Sequence, residues 1–189
     1  MADIVARAKG LIMQPAQEWR AIAAEPADTG SLILGYAAPL SLIPTVVGLI
    51  AAWLLGAALL PRIGIGSLLL HGVARYILGL AALWVIGKLI QTLAPKFGGV
   101  DDEVSAMKLS VYSPTASWLA SIFMLIPIVG LLFVLVGLIY SIYLFYTGAP
   151  VVVRIPANKV LPFTITVAIC AIVLFVLIGW VIASLLPWF

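Results

Sequence analysis

The stretch Pro95–Ser121, PKFGGVDDEVSAMKLSVYSPTASWLAS, decides how the rest of the chain must be arranged. It opens with a tight Phe97-Gly98-Gly99 turn and the acids Asp101, Asp102 and Glu103. From there Asp101, Ser105, Lys108, Tyr112 and Thr115 recur three or four residues apart, which puts them on one stripe of a helix. Ser110, Ser113, Ser117 and Ser121 make a second polar stripe beside the first. Unpaired polar groups in hydrocarbon cost several kcal/mol each. A helix polar on two adjacent stripes therefore cannot turn either of them to lipid, and this one is expected inside a bundle, running to about Ile126.

The remainder of the chain suits lipid. Hydrophobic residues are 65% and charged residues 9% of the 189, with a mean hydropathy of +1.26, whereas soluble domains carry about 25% charged residues. This excludes a soluble fold and predicts an all-α polytopic membrane protein with five transmembrane helices. Spans of about 20 residues leave no room for a separate soluble domain. Residues 1–27 read as N-terminal cytoplasmic or interfacial amphipathic helices and 28–189 as the five-span domain. The net charge of +3 comes from scattered Lys and Arg with no dense basic run. That argues against nucleic acid and for anionic lipid headgroups on the cytoplasmic side. Cys170 is the single cysteine and lies in an apolar run, which leaves no intrachain disulfide or cysteine metal site. No signal-peptide pattern is expected at the start.

Residues 2–13 place Ile4, Val5, Ala8, Leu11 and Ile12 on one face with Arg7 and Lys9 beside it, predicting an amphipathic helix in the membrane interface. A second short helix is expected from Pro15 to Glu25-Pro26, with Glu18 in its first turn and Trp19 and Ile22 as anchors of a membrane-docked helix. Span one, about 31–60, holds Pro39 and Pro44. Each proline removes a backbone hydrogen bond and crowds the carbonyl four residues back, so Gly35 and Leu40 carry freed acceptors and a kink is predicted. The Gly48, Ala52 and Gly56 seam predicts close approach of another helix.

Span two, about 68–93, carries the intramembrane charges His71, Arg75 and Lys88. Arg75 and Lys88 are thirteen residues apart, about 20 Å of helix, against a hydrocarbon layer of about 30 Å. Snorkelling in opposite directions closes the difference, so both residues are expected to be positional. Span three is the polar helix, turned back at 127–130. Span four ends near Gly148 with Tyr140, Tyr143 and Tyr146 as an interfacial belt. Span five, about 160–186, closes on Trp188-Phe189.

The chain resembles a bacterial member of the Yip1 domain family. The resemblance rests on Pro15, Glu18-Trp19 and Ile22; on Phe97-Gly98-Gly99 with Lys108, Tyr112 and Pro114; on Ile126-Pro127 and Gly130; and on Tyr140-Ser141, Tyr143-Leu144, Gly148, Pro156 and Lys159. It implies a five-helix membrane domain with a cytosolic N-terminus. Eukaryotic relatives are implicated in vesicle traffic and bind small GTPases of the Rab type. Their long cytosolic N-terminal region and its Asp-Leu-Tyr-Gly-Pro motif are not in this sequence, so GTPase binding is not carried over.

Two functions compete. One is a non-enzymatic scaffold that organises lipid or recruits a protein partner or second copy through the N-terminal helices and the loop of Phe97, Gly98, Gly99, Asp101 and Asp102. The other is a transporter or channel for an ion, small solute or lipid, using a polar cavity of Ser105, Lys108, Tyr112 and Thr115 between spans one and three. No catalytic constellation, cofactor or metal site is expected, since His71 is the sole histidine and the acids cluster at membrane edges.

Five spans would gather eight of the ten basic residues, Arg7, Lys9, Arg20, Lys88, Lys96, Lys108, Arg154 and Lys159, on one side and leave Arg62 and Arg75 opposite. The positive-inside rule then gives a cell (inner) membrane protein with its N-terminus cytoplasmic and its C-terminus external. A reporter fused after Phe189 should behave as external and one fused near Pro95 as cytoplasmic. The opposite result for either ends the five-span reading.

Overall fold

The computed structural model describes residues 3–59, 64–126 and 129–185. Leu60, the Arg62 loop, the Pro127 turn and Trp188-Phe189 lie outside those residues. Every regular element among the described residues is helical. Asp3 caps α1 (Ile4–Met13) by accepting the Val5 N–H. Pro15 then starts α2 (Pro15–Ala24) at a position that needs no backbone donor. Both helices stand where the periodicity put them, but α2 rests on protein. Trp19 and Ile22, expected as membrane anchors, are 0% and 1% exposed. Trp19 lies over Gly148, where a methyl group would meet the indole at 2.6 Å.

An Asp28/Ser31 capping box opens α3 (Thr29–Leu32), and a π-turn over Ile33–Ala37 leads into α4 (Ala38–Leu59). The expected kink takes this form: the Ala38 N–H bonds to the Ile33 carbonyl, five residues back, just before Pro39. One widened turn accommodates the hydrogen bond that Pro39 cannot make. Pro44 stays within α4. The small-residue seam does not bring a helix close at Gly48, where an added side chain would meet nothing within 4 Å.

The longer helices are α5 (Ile65–Leu93), α8 (Val129–Val152) and α9 (Val160–Leu185). Four segments among the described residues are long and apolar enough to cross a membrane: Thr29–Leu54, Ile65–Phe97, Val129–Val152 and Ala157–Leu185. The expected fifth is not one continuous helix. It divides into α6 (Glu103–Tyr112), α7 (Thr115–Ala120) and a 3-10 turn over Ser121–Leu125. Pro114 has no N–H to continue the ladder, and neighbouring hydroxyls bond the carbonyls at the break, Ser113 to Leu109 at 2.6 Å and Thr115 to Tyr112 at 2.7 Å.

The broken segment nonetheless runs antiparallel to α8 along most of its length. Leu109 lies at Gly148, the Ser117 N–H donates to Ser141 Oγ at 3.0 Å, Ala120 touches the Gly137 position, and Phe123 stacks on Phe133 at 4.1 Å between centroids. α6 is central, with every residue from Ala106 to Ser113 buried. Its most extensive neighbour is α5, where Gly87 leaves room for Met107.

Two left-handed residues close one end of the bundle, Gly98 after α5 (φ 86°) and Arg154 after α8 (φ 56°). The Val100 N–H joins the two chain reversals by bonding the Val153 carbonyl at 3.0 Å. Glycine suits such a conformation, but a residue with a Cβ is held there at a cost of about 1–2 kcal/mol. Arg154 is exposed, so Arg154→Gly should raise unfolding free energy by about 0.5–1 kcal/mol after glycine's extra unfolded-state freedom is counted. Thermal unfolding in detergent measures it.

Candidate functional site

α6 presents two polar faces, and they meet different surroundings. On the first, Lys108 is 5% exposed and its Nζ donates to the Glu25 carbonyl at 2.6 Å. That carbonyl belongs to the residue ending α2, where the helix leaves acceptors unpaired and the dipole favours a cation. The Glu25 carboxylate, with Glu18, holds Arg7 of α1. Glu25 thus serves both cations, one through its backbone and one through its side chain. Burial opposes the charge on Arg7, but Glu25 and Glu18 more than offset it and hold its pKa above the ordinary value. Arg7 also lies 5.8 Å from the Tyr112 ring centroid.

Tyr112 sits between two more rings, Tyr36 at 4.5 Å and Trp19 at 6.4 Å, both edge-on. Its hydroxyl bonds neither the Gly35 nor the Leu40 carbonyl; the ring makes the contacts. The hydroxyl bond to the π-turn falls instead to Tyr36, whose OH lies 2.9 Å from Thr115 Oγ1. Ala38 supplies the occupied carbonyl in this region, accepting from Tyr76 OH at 3.1 Å and Ser41 Oγ at 3.2 Å. Beside this cluster a cleft of about 560 Å³ opens, lined among others by Arg7, Glu25, Asp28, Tyr36 and Tyr112. Lys108, Thr115 and Ser105 do not line it. The Ser105 N–H is occupied in capping α6, donating to Asp102 at 2.8 Å, and the Ser105 side chain and then this backbone bond hold the Asp102 carboxyl below its ordinary pKa.

The second face, Ser110, Ser113 and Ser117, lines a slot of about 340 Å³ bordered by α4, α5, α8 and α9. Its hydroxyl donors are spent on backbone: Ser110 on Leu83 at 2.6 Å, Ser113 on Leu109, Ser117 on Pro114 at 2.8 Å. Ser41 and Thr45 on α4 do the same. The wall is therefore rich in hydroxyl groups yet offers few donors to a guest. The buried Thr164 hydroxyl is an exception, lining the slot without a partner.

The three intramembrane charges separate. Lys88 pairs with Glu103 at 2.7 Å and lies over the Trp84 ring, which places it at the level where α6 begins. His71 is 3% exposed, with Nδ1 2.8 Å from the Ser67 carbonyl. Arg75 makes no ion pair among the described residues and lines the slot. The loop residues hold the turn together. Phe97 packs on Phe163 at 5.5 Å, Gly98 and Gly99 fit against Pro156 and the Val153 carbonyl, Asp101 accepts from Gln91 at 2.9 Å, and Asp102 caps α6. Among the described residues no group of three or more His, Cys, Asp or Glu is placed to hold a metal.

Long apolar helices around a buried polar segment define a polytopic membrane protein. The Yip1 domain matches residues 9–180, and the chain belongs to that family. No curated protein and no solved structure matches it. Residues that carried the resemblance meet in space: Trp19 on Gly148 and Tyr112, Gly98 on Pro156, and Tyr140, whose OH donates to the Ile12 carbonyl at 2.7 Å. Arg7 lies just before the matched region, and sequence reasoning missed its role. The available signal was the seven-residue interval from Glu18 to Glu25, two turns on one helix face opposite a lone arginine.

Arg7→Met should loosen α1 and α2 from the bundle. The expected loss is about 2 kcal/mol, below the 3–5 typical of a fully buried pair because Glu25 is half exposed. Faster tryptic cleavage after Lys9 and Arg20 in intact membranes, with the spanning part undigested, is the readout.

Proposed function

We propose that this chain is a non-enzymatic membrane scaffold that organises lipid or recruits a protein partner or a second copy of itself. The observation that carries this reading is the filling of the first polar face of α6. Where a conducting path would need water beside Lys108, Tyr112 and Thr115, there are Glu25, Arg7, Trp19 and Tyr36. Members of this family are not known as enzymes.

The proposal includes a fifth crossing by Glu103–Leu125, supported by its antiparallel register with α8 from Gly148 to Phe133. With that crossing, the positive-inside rule orients the protein in the cell (inner) membrane with its N-terminus cytoplasmic and C-terminus external. The recruiting surface is then the exposed side of α1 and α2, with Lys9, Gln17 and Arg20, together with the loop that carries the exposed Asp101 and Asp102. Lys9 and Arg20 also suit anionic headgroups. The transporter reading draws on the cleft between Arg7 and Tyr36, which could admit a solute from the cytoplasmic side.

Reconstituted in liposomes, the protein should leave proton, sodium and potassium leak at the protein-free level. A photo-crosslinker at Gln17 in native membranes should give one dominant adduct, weakened by Lys9→Glu with Arg20→Glu. Ion flux that disappears in Lys108→Met or Tyr112→Phe would instead establish the transporter.

A further inference from the structure

The slot on the second face of α6 has a shape and a charge that the scaffold reading leaves unused. Its lining extends from Arg75 to Ile86 on α5 and from Thr164 to Phe175 on α9. Each interval is eleven residues, about 16 Å of helix. The slot is thus a tall, narrow space along the helix axes, and its volume of about 340 Å³ is within the range of small-ligand sites. Most of its walls are hydrocarbon or hydroxyls whose protons are already committed to carbonyls. Apart from the unpartnered Thr164 hydroxyl, such a surface accepts an alkyl chain while leaving few donors unpaired.

At one end stands Arg75. It lies ten residues into α5 from Ile65, and Lys88, thirteen residues further, is paired with Glu103 at the opposite level. All seven Asp and Glu side chains of the chain are at Asp3, Glu18, Glu25, Asp28, Asp101, Asp102 and Glu103. None is on α4, α5, α8 or α9, so the bundle walls around Arg75 carry no carboxylate to pair with it. A guanidinium at membrane depth must find an anion or water, and its planar fork matches two oxygens of a phosphate.

We propose that the slot is a phospholipid site, with the lipid phosphate on Arg75 and one acyl chain lying along Ser110, Ser113 and Ser117. The charge and the tall apolar space are adjacent, as phosphate and chain are in one molecule. Ala168, on the α9 wall, marks the middle of the chain's path.

The purified full-length chain in mild detergent, titrated with dioleoyl phosphatidylglycerol and followed by native mass spectrometry, tests this. One phosphatidylglycerol should be retained, at least about tenfold more tightly than dioleoylglycerol, which has the chains without the phosphate. Arg75→Gln should erase that preference, and Arg75→Lys should keep part of it. Ala168→Phe, which fills the slot and spares Arg75, should lose the bound lipid. Unchanged preference in Arg75→Gln overturns the proposal, as does full retention in Ala168→Phe. Displacement of the lipid by inorganic phosphate also overturns it, in favour of a free-anion site. If Arg75→Gln does not fold, Ala168→Phe and the phosphate competition decide the question.

Discussion

Lys108 cannot be left bare among apolar helices, and the end of the molecule around it is built to give it a partner. The partner is a carbonyl that α2 would otherwise leave unbonded at Glu25. Its geometry requires α2 to lie across the bundle, which in turn requires Trp19 to find space, and Gly148 provides it. The carboxylate of the same Glu25 draws in Arg7 and with it α1. One buried ammonium thus accounts for the placement of two helices that would otherwise have been free to lie on the membrane.

This ordering explains what was legible beforehand. The spacing of Ile4, Ala8 and Leu11 and the proline at position 15 are local signals, and α1 and α2 formed where those signals placed them. What covers an apolar helix face is not local. Trp19 and Ile22 look alike whether lipid or protein receives them, so the expectation of membrane anchors was reasonable on periodicity and wrong on burial. The two stripes of span three were visible as polar surfaces that needed shelter. That one would be covered by the N-terminal helices and the other face a slot depends on contacts over distances of 83 and 27 residues, which periodicity does not report.

Prolines were legible as disturbances but not as geometries. Pro39 is relieved by a widened π-turn, Pro44 is tolerated within α4, and Pro114 divides a helix in two. Around Pro114 there are Ser113, Thr115 and Ser117, whose hydroxyls all reach backbone oxygens. Hydroxyls of Ser41 and Thr45 bond carbonyls beside Pro44 as well, so nearby hydroxyls permit a break without dictating one. The serine stripe therefore has a structural part in the break as well as lining a cavity. It also explains how a segment too interrupted to count as one membrane-length helix can be buried without unpaired donors.

The contact between Tyr140 and Ile12 spans 128 residues, and that between Lys108 and Glu25 spans 83. Residues 4–25 leave the ribosome long before α6 and α8 exist to receive them. Throughout that interval Trp19 and Ile22 are apolar surface with nowhere to go, and Arg7 has only its own two acids for company. The helices made earliest can be seated only after α8 is in place, so the fold is sealed at its start by its later parts. Closing loops of this length is slow compared with forming the helices themselves. During insertion, the N-terminal helices are the part of this protein most exposed to chaperones, to proteases and to the membrane surface.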